Sequence, residues 1–321
     1  MKKIGIIGGG GYTAGELLRI LVHHPGVEIV VVESGSQAGK AISEVHEDLV
    51  GETDLHFAGN AGANLRELDA VFLCMGHGAS ESWVATRRPP KTTLVVDLST
   101  DFRMDKQWVY GLPEINREEI KKAKRIANPG CFATAIQLAL LPLAAAGLAE
   151  DEVHINGITG STGAGQSPSP TTHFSWRNNN VSVYKAFSHQ HLAEIGRSAA
   201  QVGRIATDKL HFLPVRGPFA RGIFVTCYLD TDRSEEDLRQ RFRDFYAGAA
   251  FTHLSEQPIN LKQVVNTNKG LVHVEKHGEK VLVTTAIDNL LKGASGQAVQ
   301  NMNLALGLPE TMGLNLKASM F

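Results

Sequence analysis

A chain of 321 residues exceeds one typical domain and is sized for about two. With 43% hydrophobic residues, 20% charged residues and a net charge of −1, it has the make-up of a globular protein with a large core and lacks the charge bias of a partner for nucleic acid or a membrane surface. Cys74, Cys131 and Cys227 are odd in number and widely spaced, which fits a reducing, cytoplasmic setting rather than a disulfide framework, and no metal-ligand spacing of cysteines is present.

The apolar run at residues 4–7 turns directly into glycines with no cleavage site after it, so it is taken as a first strand. No stretch reaches the roughly twenty apolar residues of a membrane helix. The glycines at 8–11 precede a helical pattern over 12–21 and a second strand at 28–32, which makes a βαβ unit. Gly8, Gly10 and either Thr13 or Ala14 approximate the pattern G-x-G-x-x-[GA]. Backbone N–H groups around Gly11, Tyr12 and Thr13 are then expected to hold a pyrophosphate at the helix start. The plain alternative is a glycine turn that only packs strand on helix.

Glu33 closes the second strand where an acid often bonds the ribose hydroxyls of NAD. Ser34, Ser36, Gln37 and Lys40 follow it and could equally hold a 2′-phosphate, so the residues leave NAD and NADP open. Strands are expected at 70–74 and 93–97 in a parallel sheet. Their carboxyl ends, Gly76-His77-Gly78 and the stretch 97–103, should border the ligands. Arg103, in that stretch, could grip a phosphate or carboxylate with both arms.

Asn128-Pro129-Gly130-Cys131 is the stretch around which the chemistry is organised. Asn is a favoured N-cap, Pro a favoured first helical residue, and an apolar helical run follows. Cys131 is thereby expected in a first helical turn, where free N–H groups and the macrodipole stabilise a thiolate. A thiolate is a nucleophile.

From residue 151 the texture changes. Residues 157–170 are rich in Gly, Ser, Thr and Pro, and 171–183 are polar, predicting a long functional loop. A helix beginning near Ser188 would set His191 and Glu194 one turn apart, so that the carboxylate orients the imidazole. His189 and His191 have H-x-H spacing, but without a further Cys or His cluster they point to acid–base work, not a metal. Strands at 212–218, 221–230, 271–275 and 280–286, with an acid-led helix from 232, predict a mixed or antiparallel second sheet. Small residues near 293–301 open a last helix that returns to the first domain.

Gly11-Tyr12-Thr13 with Glu16-Leu17, Asp97-Leu98-Ser99 with Asp101-Phe102-Arg103, Tyr110-Gly111-Leu112-Pro113-Glu114, the 128–131 stretch, Gly163-Ala164-Gly165, the 189–194 motif and Arg221-Gly222-Ile223 together resemble the type 1 N-acetyl-gamma-glutamyl-phosphate reductases of arginine biosynthesis. The resemblance implies an α/β fold similar to glyceraldehyde-3-phosphate and aspartate-semialdehyde dehydrogenases. Residues 1–130 and 293–321 would form a Rossmann-type dinucleotide-binding domain, and 131–292 an α+β catalytic and dimerisation domain. It implies Cys131 as nucleophile, His191 as acid/base and Glu194 as its support. It also implies NADP as cofactor, with Gly163, Asn289 and Gly293 joining the N-terminal residues around it. Arg103, Asn128 and Arg221 would hold the acyl phosphate substrate, in a homo-oligomer, dimer or tetramer, without metal, membrane or nucleic acid.

The chain departs from the family pattern at Gly35 and Gln166, where arginine is usual, and at Gln190 and Ala193. The first removes a cation for a 2′-phosphate, and the others leave the acyl group open between acetyl, succinyl and a carrier-linked aminoadipyl. A cofactor-binding sensor without turnover is the reading from another class, against which Cys131, His191 and Glu194 together argue.

Overall fold

Parallel strands buried on both faces need continuous Val, Ile and Leu runs, and the N-terminal segments supply them. The computed structural model describes residues 1–60 and 62–320. In it β1 (Lys2–Ile7), α1 (Tyr12–Leu21), β2 (Val27–Glu33), β3 (Ala70–Leu73), α2 (Ala79–Arg87), β4 (Leu94–Asp97), β5 (Val109–Tyr110), α3 (Pro113–Lys122) and β6 (Arg125–Ala127) follow in order. The six strands form one parallel sheet in the order β2-β1-β3-β4-β6-β5. The connection from β1 leaves to one side and that into β3 returns on the other, so the carboxyl ends of β1 and β3 flank a switch point suited to a ligand.

Ile7, Val71, Leu73 and Val95 gather on one face with Phe102, Trp108 and, from α2, Trp83 and Val84. Phe102 and Trp108 stack there with ring centres 3.9 Å apart. Helix α1 turns Ala14, Leu17, Leu18 and Leu21 inward, the apolar stripe expected of a helix lying on a sheet.

The second half continues through α4 (Cys131–Ala145), β7 (Val153–Thr159), α5 (Phe174–Arg177), β8 (Ser182–Val183), α6 (His191–Val202), β9 (Leu210–Arg216), β10 (Ile223–Asp230), α7 (Glu235–Phe245), β11 (Thr252–Leu254), β12 (Gly270–His277), β13 (Lys280–Ile287) and α8 (Ser295–Ala305). Its seven strands form a mixed sheet in the order β11-β12-β13-β10-β7-β9-β8. Strands β7, β9 and β10 alternate buried and half-exposed residues, so this sheet has one core face. The core face is covered by α4, whose residues after Cys131 are almost all buried, and α6 and α7 pack beside it.

The chain separates into two compact units, Met1–Gly130 with Ala294–Asn315, and Cys131–Gly293 with the tail from Leu316. The second crossing falls one residue beyond the expected 292/293 boundary because Gly293 donates its N–H to the Asp288 carbonyl at 2.9 Å. Gly293 also backs directly on Cys131, where a Cβ would stand 2.8 Å from the cysteine Cβ. The tail from Leu316 groups with the second unit, not the first as expected. Helix α8 belongs to the first unit, where it packs on α1, α3 and β4 and donates Ser295 Oγ–H to the Thr13 carbonyl at 2.7 Å.

The long loop expected over 157–183 begins later, since 157–159 complete β7, and it contains α5 and β8. Arg177 organises it from within. Its guanidinium donates to the carbonyls of Thr171, Asn180 and Arg216 and to Ser182 Oγ at 2.8–3.3 Å, replacing the hydrogen bonds that regular structure would give.

Candidate active site

In the first unit the glycines have distinct duties. Gly8 takes φ +83°, and both Gly8 and Gly9 donate their N–H groups to the Glu33 carbonyl, at 3.0 and 2.8 Å. A side chain at Gly9 would strike Val32 at 2.4 Å. Gly8 and Gly9 therefore shape the turn, with His46 Nε2–H fixing the Gly9 carbonyl at 2.7 Å. Gly10 and Gly11 are open: a Cβ at Gly11 would meet nothing within 4 Å. Beyond them α1 begins at Tyr12 with its first N–H groups outside the helical ladder, among them those of Thr13 and Ala14. An open backbone cradle at a helix N-terminus fits a dinucleotide pyrophosphate.

Glu33 is not offered to a ribose. Its carboxylate is buried, accepts the Ala63 N–H at 2.7 Å and faces Arg87 at 3.4 Å. Ser34 lies beside the open glycines, its hydroxyl 3.6 Å from where a Gly10 Cβ would be, while Ser36 is in the following turn and Lys40 donates to Gln37.

Asn128 does not cap the helix that begins at Cys131. Its own N–H donates to the Asp97 carbonyl, extending the β6–β4 pairing, and its side chain donates to the Ala294 carbonyl while accepting from Asn301 Nδ2, both at 3.0 Å. It ties the end of β6 to α8, and α4 starts at Cys131, with Pro129 ahead of the helix rather than in its first turn. Arg103 is buried and donates Nε–H to the Asn128 carbonyl at 2.9 Å and Nη2–H to the Leu98 carbonyl at 3.2 Å, so two of its donors brace the loops after β4 and β6.

The second unit carries Cys131, the expected nucleophile. Cys131 is the first residue of α4 and His191 the first of α6, and the two helices pack together. Rings join their beginnings: Phe132 meets His189 edge-on at 5.7 Å, and His189 meets His191 at 4.5 Å. The helix of His191 starts three residues after the expected Ser188, because Lys185 and Phe187 take left-handed φ of 46° and 56° and His189 Nδ1 accepts the His191 N–H at 3.2 Å. Left-handed non-glycine residues cost on the order of 1–3 kcal/mol each and persist where the surroundings impose them, as at active sites.

His191 Nε2 stands 3.8 Å from Glu194 Oε1, both side chains nearly enclosed. His189 differs sharply: burial, with the nearby Lys185 charge, lowers its pKa to about 4, so it is a neutral acceptor. Tyr184 completes the wall, 5.9 Å from the His189 ring, its phenol pushed to about 12 by burial first and by the charge of Cys131 second. Over the Tyr184 ring, 4.8 Å from its centre, lies the Arg216 guanidinium. The sequence reading did not single out Arg216. Its signal was parity: it shares the side of β9 with Phe212 and Pro214, where an arginine is out of place.

The other expected ligand residues of this unit are structural neighbours of one another. Arg221 forms a two-armed pair with Asp288 at 3.1 and 3.2 Å, and Asp288 is fully buried and also accepts the N–H groups of Asn266, Leu290 and Leu291. The fork of Arg221 is therefore committed to the protein. Asn289 Oδ1 accepts the Gly222 N–H and its Nδ2 donates to Thr162 beside Gly163, at 2.7 and 3.0 Å. Gly163 sits in a short 3₁₀ turn, Ser161–Ala164. Among the described residues no cluster of three or more His, Cys, Asp or Glu could hold a metal ion, and no helix is long and apolar enough to cross a membrane.

Comparison with known proteins divides the chain in the same way. Residues 3–123 match the family model for the semialdehyde dehydrogenase NAD binding domain, and residues 131–289 that for the semialdehyde dehydrogenase dimerisation domain. The chain is 55% identical to the N-acetyl-gamma-glutamyl-phosphate reductase of Christiangramia forsetii, 53% to that of Azobacteroides pseudotrichonymphae and 51% to that of Bacteroides thetaiotaomicron, with 100% of both chains covered each time. Among solved structures it is similar to aspartate semialdehyde dehydrogenase II from Vibrio cholerae, with a TM-score of 0.75, 16% identity and 96% and 98% of the two chains covered. The enzyme of Candida albicans, solved with NADP, matches at a TM-score of 0.70, 16% identity and 95% and 98% coverage.

Proposed function

The chain belongs to the semialdehyde dehydrogenase family, among the N-acetyl-gamma-glutamyl-phosphate reductases, and on that premise we propose that it reduces an N-acyl-γ-glutamyl phosphate to the semialdehyde, releasing phosphate. The observation that supports this reading above others is that Cys131 and His191 are each the first residue of one of two helices that pack together, with the rings of Phe132 and His189 between their starts.

Cys131 attacks the acyl carbon as a thiolate, held at a helix start that favours the anion. The carbon–oxygen bond to phosphate breaks, phosphate leaves, and a thioester remains on Cys131. The glycine cradle would hold a reduced nicotinamide dinucleotide, which would supply the hydride to the acyl carbon. His191, oriented by Glu194, gives a proton to the oxygen or sulfur that develops negative charge as the aldehyde separates. Gly10, Gly11 and the α1 start would hold the cofactor pyrophosphate. Arg103 and Asn128 fix the loop that leads into Cys131, and we assign them that positioning role in substrate binding.

NADPH is the reductant in this reading. Glu33 is already satisfied by Ala63 and Arg87, so its charge is not directed at a 2′-phosphate, and Ser34, Ser36 and Lys40 follow it as donors. The match of 131–289 to a dimerisation domain supports a homodimer or tetramer, and three free cysteines suit the cytoplasm. The test is the reverse reaction: phosphate-dependent reduction of NADP⁺ by an N-acylglutamate semialdehyde. Activity that is independent of phosphate, unchanged in Cys131→Ala, or more efficient with NAD⁺ than with NADP⁺ contradicts the corresponding part of the proposal.

A further inference from the structure

Arg216 ends β9 on the same side as Phe212, whose ring touches Phe132 and His189 at 5.1 and 5.5 Å. A guanidinium on the apolar side of a strand calls for an anion or a full set of acceptors. Arg216 has neither within the protein. Its buried Nε donates no hydrogen bond, its guanidinium lies over the Tyr184 ring and hydrogen-bonds the neutral Tyr184 side chain, and among the described residues no carboxylate stands at ion-pair distance. Arg177 lies close by, similarly without an acid, its donors directed to carbonyls that include that of Arg216 and to the Ser182 hydroxyl. Burial and the Arg216 charge together lower the Arg177 pKa. Two neighbouring cations with only neutral partners repel each other, and an anion received there relieves the repulsion.

The place is also the right one. Tyr184 has Arg216 on its face, His189 at its edge and the Cys131 charge within influence, so Arg216 is one aromatic ring away from the reacting centre. We propose that Arg216 anchors the substrate by receiving one of its carboxylates, remote from the acyl phosphate, against the face of Tyr184. The proposal rests on the reaction given above. Two carboxylates have this chemistry: the α-carboxylate of the glutamyl unit, present whatever the acyl group, and the terminal carboxylate of a dicarboxylic acyl arm such as succinyl. Planar, two-armed recognition of carboxylate is what an arginine, rather than a lysine, provides.

The experiment is steady-state kinetics of wild type, Arg216→Met and Arg216→Lys with N-acetyl- and N-succinylglutamate semialdehyde in the phosphate-dependent direction. The expected result is a KM raised about 10- to 100-fold in Arg216→Met, the loss of hydrogen bonds to a charged group, with kcat changed little. Arg216→Lys should fall between. A rise with both substrates identifies the α-carboxylate, and a rise with the succinyl substrate alone identifies the acyl arm. Unchanged KM for both, or a fall in kcat alone, overturns the proposal. A second measurement does not depend on turnover: N-acetylglutamate or N-succinylglutamate should protect Cys131 from alkylation in wild type and do so at higher concentration in Arg216→Met. Equal protection in both also overturns the role of Arg216, whereas absent turnover with Arg216-dependent protection overturns only the reaction. Should Arg216→Met fail to fold by circular dichroism, Arg216→Lys carries the same comparison.

Discussion

His191 Nε2 and Glu194 Oε1 lie 3.8 Å apart, one turn along the start of α6, with the two side chains 9% and 4% exposed. Held on one face of the helix and nearly enclosed, the carboxylate is placed to orient the imidazole. His191→Asn is therefore expected to slow the chemical step by something on the order of 10²–10⁴-fold with the fold intact. Single-turnover reduction of the Cys131 thioester measures this. A nearly normal rate removes His191 from the mechanism.

His189 is expected to act on stability and affinity instead. Its pKa in the folded state is about 4, against an ordinary 6.5. Between those values the unfolded chain binds the extra proton and the folded one does not, so stability is complete above pH 6.5 and is lost as pH falls toward 4. Denaturant midpoints at pH 7 and pH 5 should differ less in His189→Asn than in wild type. If the variant keeps the full difference, another group is responsible.

Cys131 should be the fast-reacting thiol at neutral pH. Burial pushes Cys74 and Cys227 to about 12, leaving almost no thiolate on either. Brief alkylation followed by peptide mass spectrometry should find the label on Cys131, and Cys131→Ala should lose turnover while NADPH fluorescence titration still reports binding. Comparable labelling of all three would mean that the helix start does not activate Cys131.

Arg221→Ala should destabilise the second unit by about 3 kcal/mol, since it leaves the fully buried Asp288 charge without its cation. Three backbone N–H groups still hold that carboxylate, which limits the loss. Urea unfolding reads the change. A variant with unaltered stability but a raised KM would return Arg221 to the substrate-contacting role that the resemblance implied.

The sequence determined what depends on short spacing. Strand, glycine turn and helix at 2–21, a cysteine at a helix start, and His191 one turn before Glu194 all follow from local periodicity and end preferences, which reach only a few residues. The tertiary structure decided which polar groups already have partners. Asn128 has the composition of a cap but joins Ala294 and Asn301, more than 160 residues away in sequence. Glu33 sits where a ribose acid would, but it accepts the Ala63 N–H and pairs with Arg87, and Arg221 is closed by Asp288. Arg216, unremarkable in the sequence, is left facing Tyr184 with no acid beside it. Charge and hydrogen-bond satisfaction depend on atoms a few ångströms apart in space, and in these cases those atoms come from segments that no local pattern links.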